Sequence, residues 1–315
     1  MLEIVDARLQ TARSLGLDHV AAEVSAALSA AGLRVVLLKG AALATWLYDD
    51  GTVRPYGDVD LLVAPGDHDK AERVLAVLGF VRKGLGLSAL EEPDHARAWA
   101  RDGATIDLHR SIWGVGIDRA LAWPILTEAT ETIGVGGGGV EVLALPARAL
   151  HIALHAAQHG PRHPKPAQDV ARAVAKLPFG TWQEASVLAG RLGAQEAMGA
   201  GLRLVPGGQE LASRLELPNT TSLALGARVG STTRGAAVLA NLLDGPPGLG
   251  DKVVRTARLV VPSPAQLRAS VPFARRSRSA LAVGYVWLPL VRASRLPRAA
   301  IAVARVRRDL RRAEP

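Results

Sequence analysis

Apolar and polar positions change period along the chain, and the changes mark out elements. From about Leu9 to Ala31, Ala, Leu and Val recur among polar residues at helical spacing, and Gly32 closes the run as a C-terminal glycine does. Leu33 to Leu38 is apolar apart from Arg34, has the length of a strand and ends at Lys39-Gly40. Ala41 to Tyr48 then offers good helix formers. Gly57-Asp58-Val59-Asp60-Leu61-Leu62-Val63 alternates polar and apolar residues before stopping at Pro65, which predicts a second strand. Asp67 to Leu78 places Ala71, Val74, Leu75 and Leu78 at helical spacing, and Gly79 ends it. Ala96 to Arg101 and Ala104 to His109 flank Asp102-Gly103, a dipeptide favoured in two-residue turns, and predict a β-hairpin.

Trp113 to Thr132 fits no single period. Gly134 to Gly139 reads as a flexible linker before a short strand, Val140 to Ala144; without a following Lys-Ser/Thr it is not a phosphate loop. From Pro146 the pattern turns helical, with helices expected to about His159, from Pro166 to about Leu177 and from Thr181 to Gly193. The expected organisation is α+β over residues 1–145, helical over 146–250, and a basic, Arg-rich helical segment over 251–315.

Composition narrows the chemistry. The chain has 315 residues, 49% of them hydrophobic, enough to bury a large core, and no cysteine, which excludes disulfides, thiolate zinc sites, iron–sulfur clusters and cysteine nucleophiles. The first residues, Met1-Leu2-Glu3-Ile4-Val5-Asp6, carry acids where a signal peptide needs bases, so a cytoplasmic location is expected. The longest uncharged apolar stretch, Ser279 to Val291, falls well short of the ~20 residues that span a bilayer, and no transmembrane segment is expected. Of the net charge of +9, residues 251–315 contribute +12, so a surface seeking phosphates, nucleic acid, anionic lipid or an acidic protein is C-terminal. There Arg305, Arg308 and Arg312 stand beside Ile301, Val303 and Val306, a pattern open to membrane-surface binding or to ordinary packing of a basic helix.

Asp58 and Asp60, two apart on a strand, leave one face while Val59, Leu61 and Val63 leave the other. In Thr105-Ile106-Asp107-Leu108-His109 the apolar pair points to the core and Asp107 and His109 to the opposite face. If these strands are neighbours, three carboxylates share one spot, and Mg²⁺ or Mn²⁺ is the economical way to neutralise them. Lys39-Gly40-Ala41, between a strand and a helix, suits an anion, with Lys39 as a point charge on a triphosphate and Arg54 as a further phosphate fork. His109 is read either as a phosphate contact or as part of a polar network. His151, His155 and His159 form one helix stripe, open to zinc or to packing on the sheet with bonds to Asp169 or backbone carbonyls.

The ordered set Leu37-Leu38-Lys39-Gly40-Ala41-Ala42-Leu43, Tyr48, Arg54-Pro55-Tyr56-Gly57-Asp58-Val59-Asp60-Leu61-Leu62-Val63, Leu78-Gly79-Phe80 and Ile106-Asp107-Leu108-His109 resembles nucleotidyltransferases of the polymerase-β superfamily. Leu154-His155-Ala156-Ala157-Gln158-His159-Gly160 with Asp169 looks like that family's helical part. The resemblance covers roughly residues 30 to 175. It implies a small mixed β-sheet flanked by helices, followed by a mainly helical C-terminal domain, with Asp58, Asp60 and Asp107 as catalytic metal ligands. It also implies that Lys39, Gly40, Arg54 and His109 sit at the nucleotide, that a nucleoside triphosphate such as ATP is the donor, and that Mg²⁺ or Mn²⁺ is the cofactor. The acceptor stays open between an RNA end, a peptide and a small metabolite. One departure stands out: Lys39-Gly40-Ala41 replaces the superfamily's Gly-Ser, removing a hydroxyl that would hold phosphate. That leaves a second class of function, a catalytically inactive nucleotidyltransferase fold that binds nucleotide or a partner.

Overall fold

The computed structural model describes residues 2–50, 52–83, 95–219, 222–230, 271–294 and 296–313, with a few single positions between 230 and 271. Seven strands form one sheet in the order β3-β4-β5-β2-β1-β7-β6. They are β1 (Val35–Leu37), β2 (Val59–Val63), β3 (Val81–Arg82), β4 (Ala96–Arg101), β5 (Ala104–His109), β6 (Thr130–Val135) and β7 (Gly138–Leu143). β1 runs parallel to β7 and β2 parallel to β5; the other neighbours are antiparallel, so the sheet is mixed.

Two apolar layers hold the sheet, and side-chain alternation decides which residue enters which. Val35, Leu37, Val59, Leu61, Val63, Ile106, Leu108 and Val142 point to one face and pack against α1 (Leu2–Ala30) and α3 (His68–Val77), through Leu17, Val24, Leu28, Ala71 and Leu75. Val36, Leu38, Leu62 and Leu143 point to the other face, where they join α2 (Ala41–Leu47), α4 (Arg119–Leu126) and α5 (Leu145–His159). The same cluster continues into α6 (Pro164–Lys176), α7 (Phe179–Arg191), α8 (Gln195–Leu202) and α9 (Gly208–Arg214), with Trp182 and Met198 fully buried. The change from α+β to helical sequence near residue 145 is therefore crossed by one continuous core.

The hairpin at Asp102-Gly103 forms as its dipeptide requires, with φ of 47° and 83°, the primed geometry that matches strand twist. The glycine run is a second hairpin rather than a linker. Gly136 and Gly137, at φ of 55° and 86°, turn β6 into β7, and the turn lies on α1, where a Cβ on Gly136 would come 2.3 Å from the Asp18 carbonyl oxygen. The stretch that fits no period holds α4, whose first turn is capped by the Asp118 carboxylate accepting from the Ala120 N–H at 2.8 Å.

Farther on, α10 (Leu223–Val229) meets α12 (Leu296–Ala313) through Ala227, Ala302 and Val303. The basic helix α12 thus buries Val303 and Val306 and exposes Arg305, Arg308 and Ile301. α11 (Arg278–Ala293) packs Leu288 against Val271 and Ala274. The first part of the basic segment, 251–263, lies outside the described residues. Among the described residues no helix is long and apolar enough to cross a membrane.

Candidate active site

The site forms where β1 ends and β2 begins. Antiparallel pairing sets Leu37 opposite Leu61, the Leu38 N–H donates to the Asp60 carbonyl at 2.9 Å, and the chain then turns back at Gly40, φ 64°. The turn is tight because the Tyr56 ring lies against it; a Cβ on Gly40 would sit 3.3 Å from that ring. It brings the Lys39 ammonium to 2.7 Å from Asp60 Oδ1. Parallel pairing with β5 sets Asp60 beside Asp107, on the face opposite Leu61, Ile106 and Leu108. Asp58 stands two residues ahead of Asp60, where β2 starts.

The three aspartates differ in charge environment. Asp60 is buried, which opposes ionisation, but Lys39 and the Nε2–H of His109, which donates to Oδ1 at 3.0 Å, outweigh this and hold the carboxyl far below its usual range. Asp58 and Asp107 are half-buried and pushed upward, first by desolvation and then by the negative charge of Asp60. Neither side-chain carboxylate has a hydrogen bond or ion pair among the described residues. The three carboxylates do not gather within 4.8 Å of one another, whereas His68, Asp69 and Glu72 do. Two unneutralised carboxylates beside an ionised third make a hard-oxygen donor set that fits Mg²⁺ or Mn²⁺.

The residues expected at a nucleotide fall in different places. Lys39 and Gly40 are at the carboxylates. Arg54 is not free to fork a phosphate: its Nε and Nη2 donate to the two oxygens of Asp169 at 2.9 and 2.6 Å, both side chains are buried, and Tyr48 donates to Asp169 Oδ1 at 2.7 Å. This triad ties the segment before β2 to α6. His109 belongs to a polar network, hydrogen-bonded to Asp60 with its ring 5.5 Å from His95. The His151–His159 stripe packs toward the sheet. His151 is buried and bonded to the Leu38 backbone, and His155 Nε2 lies 3.5 Å from the Lys39 ammonium. Burial, with Lys39 nearby, pushes His151 down to about 3, so it stays neutral.

Two residues of the site carry no signal in the sequence. Lys165, in the first turn of α6, has no hydrogen bond or ion pair among the described residues. It is pushed down by burial and by Arg54, while Asp169 and Asp58 pull it up, so it lies in the field of the carboxylates. His95 is pushed down to about 2 by burial and by the neighbouring His109 and Lys39, and its Nε2 lies 3.4 Å from Gln158 Nε2. The register of β4, pairing Ala96 with His109, places it there.

Comparison with known proteins gives no match among curated sequences. Among solved structures, the chain is similar to the antibiotic-resistance factor ANT(2″)-Ia, at 19% identity over 59% of this chain and 96% of that one, with a TM-score of 0.42. It is also similar to an antigenic nucleotidyltransferase-like protein from Paracoccidioides brasiliensis, at 16% identity over 64% of this chain and 92% of that one, with a TM-score of 0.37. A family model described as uncharacterised nucleotidyltransferase matches residues 5–206. Those residues take in the whole sheet, every site residue named above and helices α5 to α8, and the chain belongs to that nucleotidyltransferase family.

Proposed function

We propose that this protein transfers a nucleoside monophosphate from a nucleoside triphosphate to a hydroxyl or phosphate of an acceptor, with Mg²⁺ or Mn²⁺ held by Asp58, Asp60 and Asp107. The observation that carries the reading is the register of β2 and β5, which sets Asp60 beside Asp107, with Lys39 paired to Asp60. When bound, divalent ions would lower the charge on the phosphates and on the attacking oxygen.

The protein's own groups divide the remaining work. Asp107, with affinity for a proton raised by burial, is suited to accept the proton of the acceptor hydroxyl. The acceptor oxygen then bonds the α-phosphorus, the bond from that phosphorus to the bridging oxygen breaks, and pyrophosphate leaves with the electron pair. Lys39 and Lys165 supply positive charge where that anion forms. The Arg54–Asp169–Tyr48 triad positions the site by fixing the loop into β2 on α6. The acceptor is an RNA end, a peptide or a small molecule, and the basic C-terminal helices suit an acidic one.

The test is incubation of wild type and Asp58→Asn/Asp60→Asn protein with each α-³²P-labelled nucleoside triphosphate, Mg²⁺ or Mn²⁺, RNA and a lysate fraction. Label moving to an acceptor with wild type and not with the variant supports transfer. A second reading, binding without turnover, is favoured by Lys39-Gly40-Ala41, which lacks a phosphate-holding hydroxyl; metal-dependent triphosphate binding with no pyrophosphate released from the triphosphate, whichever acceptor is added, would establish it instead.

A further inference from the structure

A second cluster lies on the other face of the sheet. α3 opens with His68 and Asp69 and carries Glu72 one turn later, so His68 and Glu72 share a helix face. A ring nitrogen of His68 and one carboxylate oxygen each from Asp69 and Glu72 lie within 4.8 Å of one another. His68 is 2% exposed. Its Nε2 is 3.2 Å from the Leu108 carbonyl oxygen, which only accepts, so Nε2 carries the proton and Nδ1 of the neutral ring is left with a lone pair.

Nδ1 has no partner, and neither has the buried Oε1 of Glu72. Arg97 on β4 donates to the other oxygen, Oε2, at 2.8 Å and stands 4.0 Å from Asp69, which fixes the Glu72 carboxylate without using Oε1. Two buried acceptors with no donor between them are unusual in a folded protein, because each loses its water without replacement. A cation answers both at once.

We infer that His68, Asp69 and Glu72 form a zinc site on α3, distinct from the aspartates of the proposed transfer reaction. An imidazole nitrogen with two carboxylates suits Zn²⁺, whereas Mg²⁺ prefers oxygens and water. Asp69 is 83% exposed, so the ion has a path from solvent and room for a water as fourth ligand. The hydrogen bond from Nε2 to the Leu108 carbonyl holds the ring in the orientation and tautomer that a ligating imidazole needs. It ends on the residue between Asp107 and His109, so the ligating ring also ties α3 to the strand that carries both.

Zinc alone is the probe, titrated calorimetrically into full-length, chelator-stripped protein carrying Asp58→Asn, Asp60→Asn and Asp107→Asn, with circular dichroism to verify folding. A single equivalent of zinc is expected to bind and raise the melting temperature. Adding Glu72→Gln, nearly the same size, should weaken zinc by at least about tenfold. So should Asp69→Asn, a change at an exposed position that leaves the core intact. A folded triple variant that binds no zinc, or binding unchanged by both further substitutions, overturns the inference. Neither outcome bears on nucleotidyl transfer, because the probed protein lacks the carboxylates proposed for it.

Discussion

Lys39 Nζ lies 2.7 Å from Asp60 Oδ1, and the same oxygen accepts from His109 Nε2 at 3.0 Å. One oxygen of the buried carboxylate is thus engaged by two cation-capable groups. This lysine belongs to Lys39-Gly40-Ala41, the departure from the Gly-Ser that the resemblance to the polymerase-β superfamily leads one to expect. On the proposed function, this turn offers a charge in place of a hydroxyl, to the carboxylate and to a bound phosphate alike.

Replacing Lys39 with Met should therefore act twice. Turnover, followed as pyrophosphate release, should fall by about 10²-fold in kcat/KM, the usual scale for losing one preorganised charge. Denaturant midpoints should fall as well, because Asp60 keeps only His109. Lys165→Met separates the two effects: with no ion pair to lose, it should raise KM for the triphosphate and leave the midpoint near wild type.

Metal-free protein gives a prediction in which the three aspartates have opposite signs. For Asp58 and Asp107 the folded pKa lies above the unfolded one, so stability present at low pH is lost as pH rises through the folded value. Above those folded values ionisation carries a cost, and there Asp58→Asn or Asp107→Asn should raise the melting temperature by about 2 °C. For Asp60 the folded pKa is depressed, so its contribution is present above the unfolded pKa and fades as pH falls toward the folded value. Asp60→Asn should lower the melting temperature at pH 7, and Mg²⁺ should stabilise wild type more than any of the three variants in a thermal scan.

Arg54 and Asp169 are each 4% exposed or less and meet through two hydrogen bonds. Removing one partner of such a pair leaves a buried charge, and Arg54→Ala or Asp169→Ala should cost about 3–5 kcal/mol in urea unfolding. Arg54→Lys should also destabilise, because an ammonium cannot make the fork. An unchanged midpoint together with a raised KM for triphosphate would return Arg54 to the phosphate-binding role its sequence position suggests.

The aspartates were legible because strand alternation is a local rule: Val59, Leu61, Ile106 and Leu108 enter one core, and their neighbours must face the other way. The strands, turns and helices around them could be read for the same reason. Arg54 could not be read so, since its partner lies 115 residues away and only the docking of α6 brings it near. Lys165 depends on the same docking. The β6–β7 hairpin was hidden because glycine runs have low strand propensity, and here the turn is fixed by its packing on α1.

That hairpin makes a prediction of its own, because its two turn glycines face different surroundings. Gly137 has φ of 86°, and nothing lies within 4 Å of the place a methyl group would take, so Gly137→Ala meets backbone strain alone and should cost about 1–2 kcal/mol. Gly136 has a similar φ of 55°, but its Cβ would fall 2.3 Å from the Asp18 carbonyl oxygen and 2.7 Å from His19 Cα, both backbone atoms of a helix that cannot swing aside as a side chain would. Gly136→Ala must therefore push the hairpin off α1, exposing Val135 and Val140, which are buried against that helix layer. Its cost in urea unfolding should exceed that of Gly137→Ala by at least about 1 kcal/mol, the scale of partly uncovering two valines. Equal midpoints for the two variants would mean that the turn does not rest on α1, and that the glycines serve the turn conformation only.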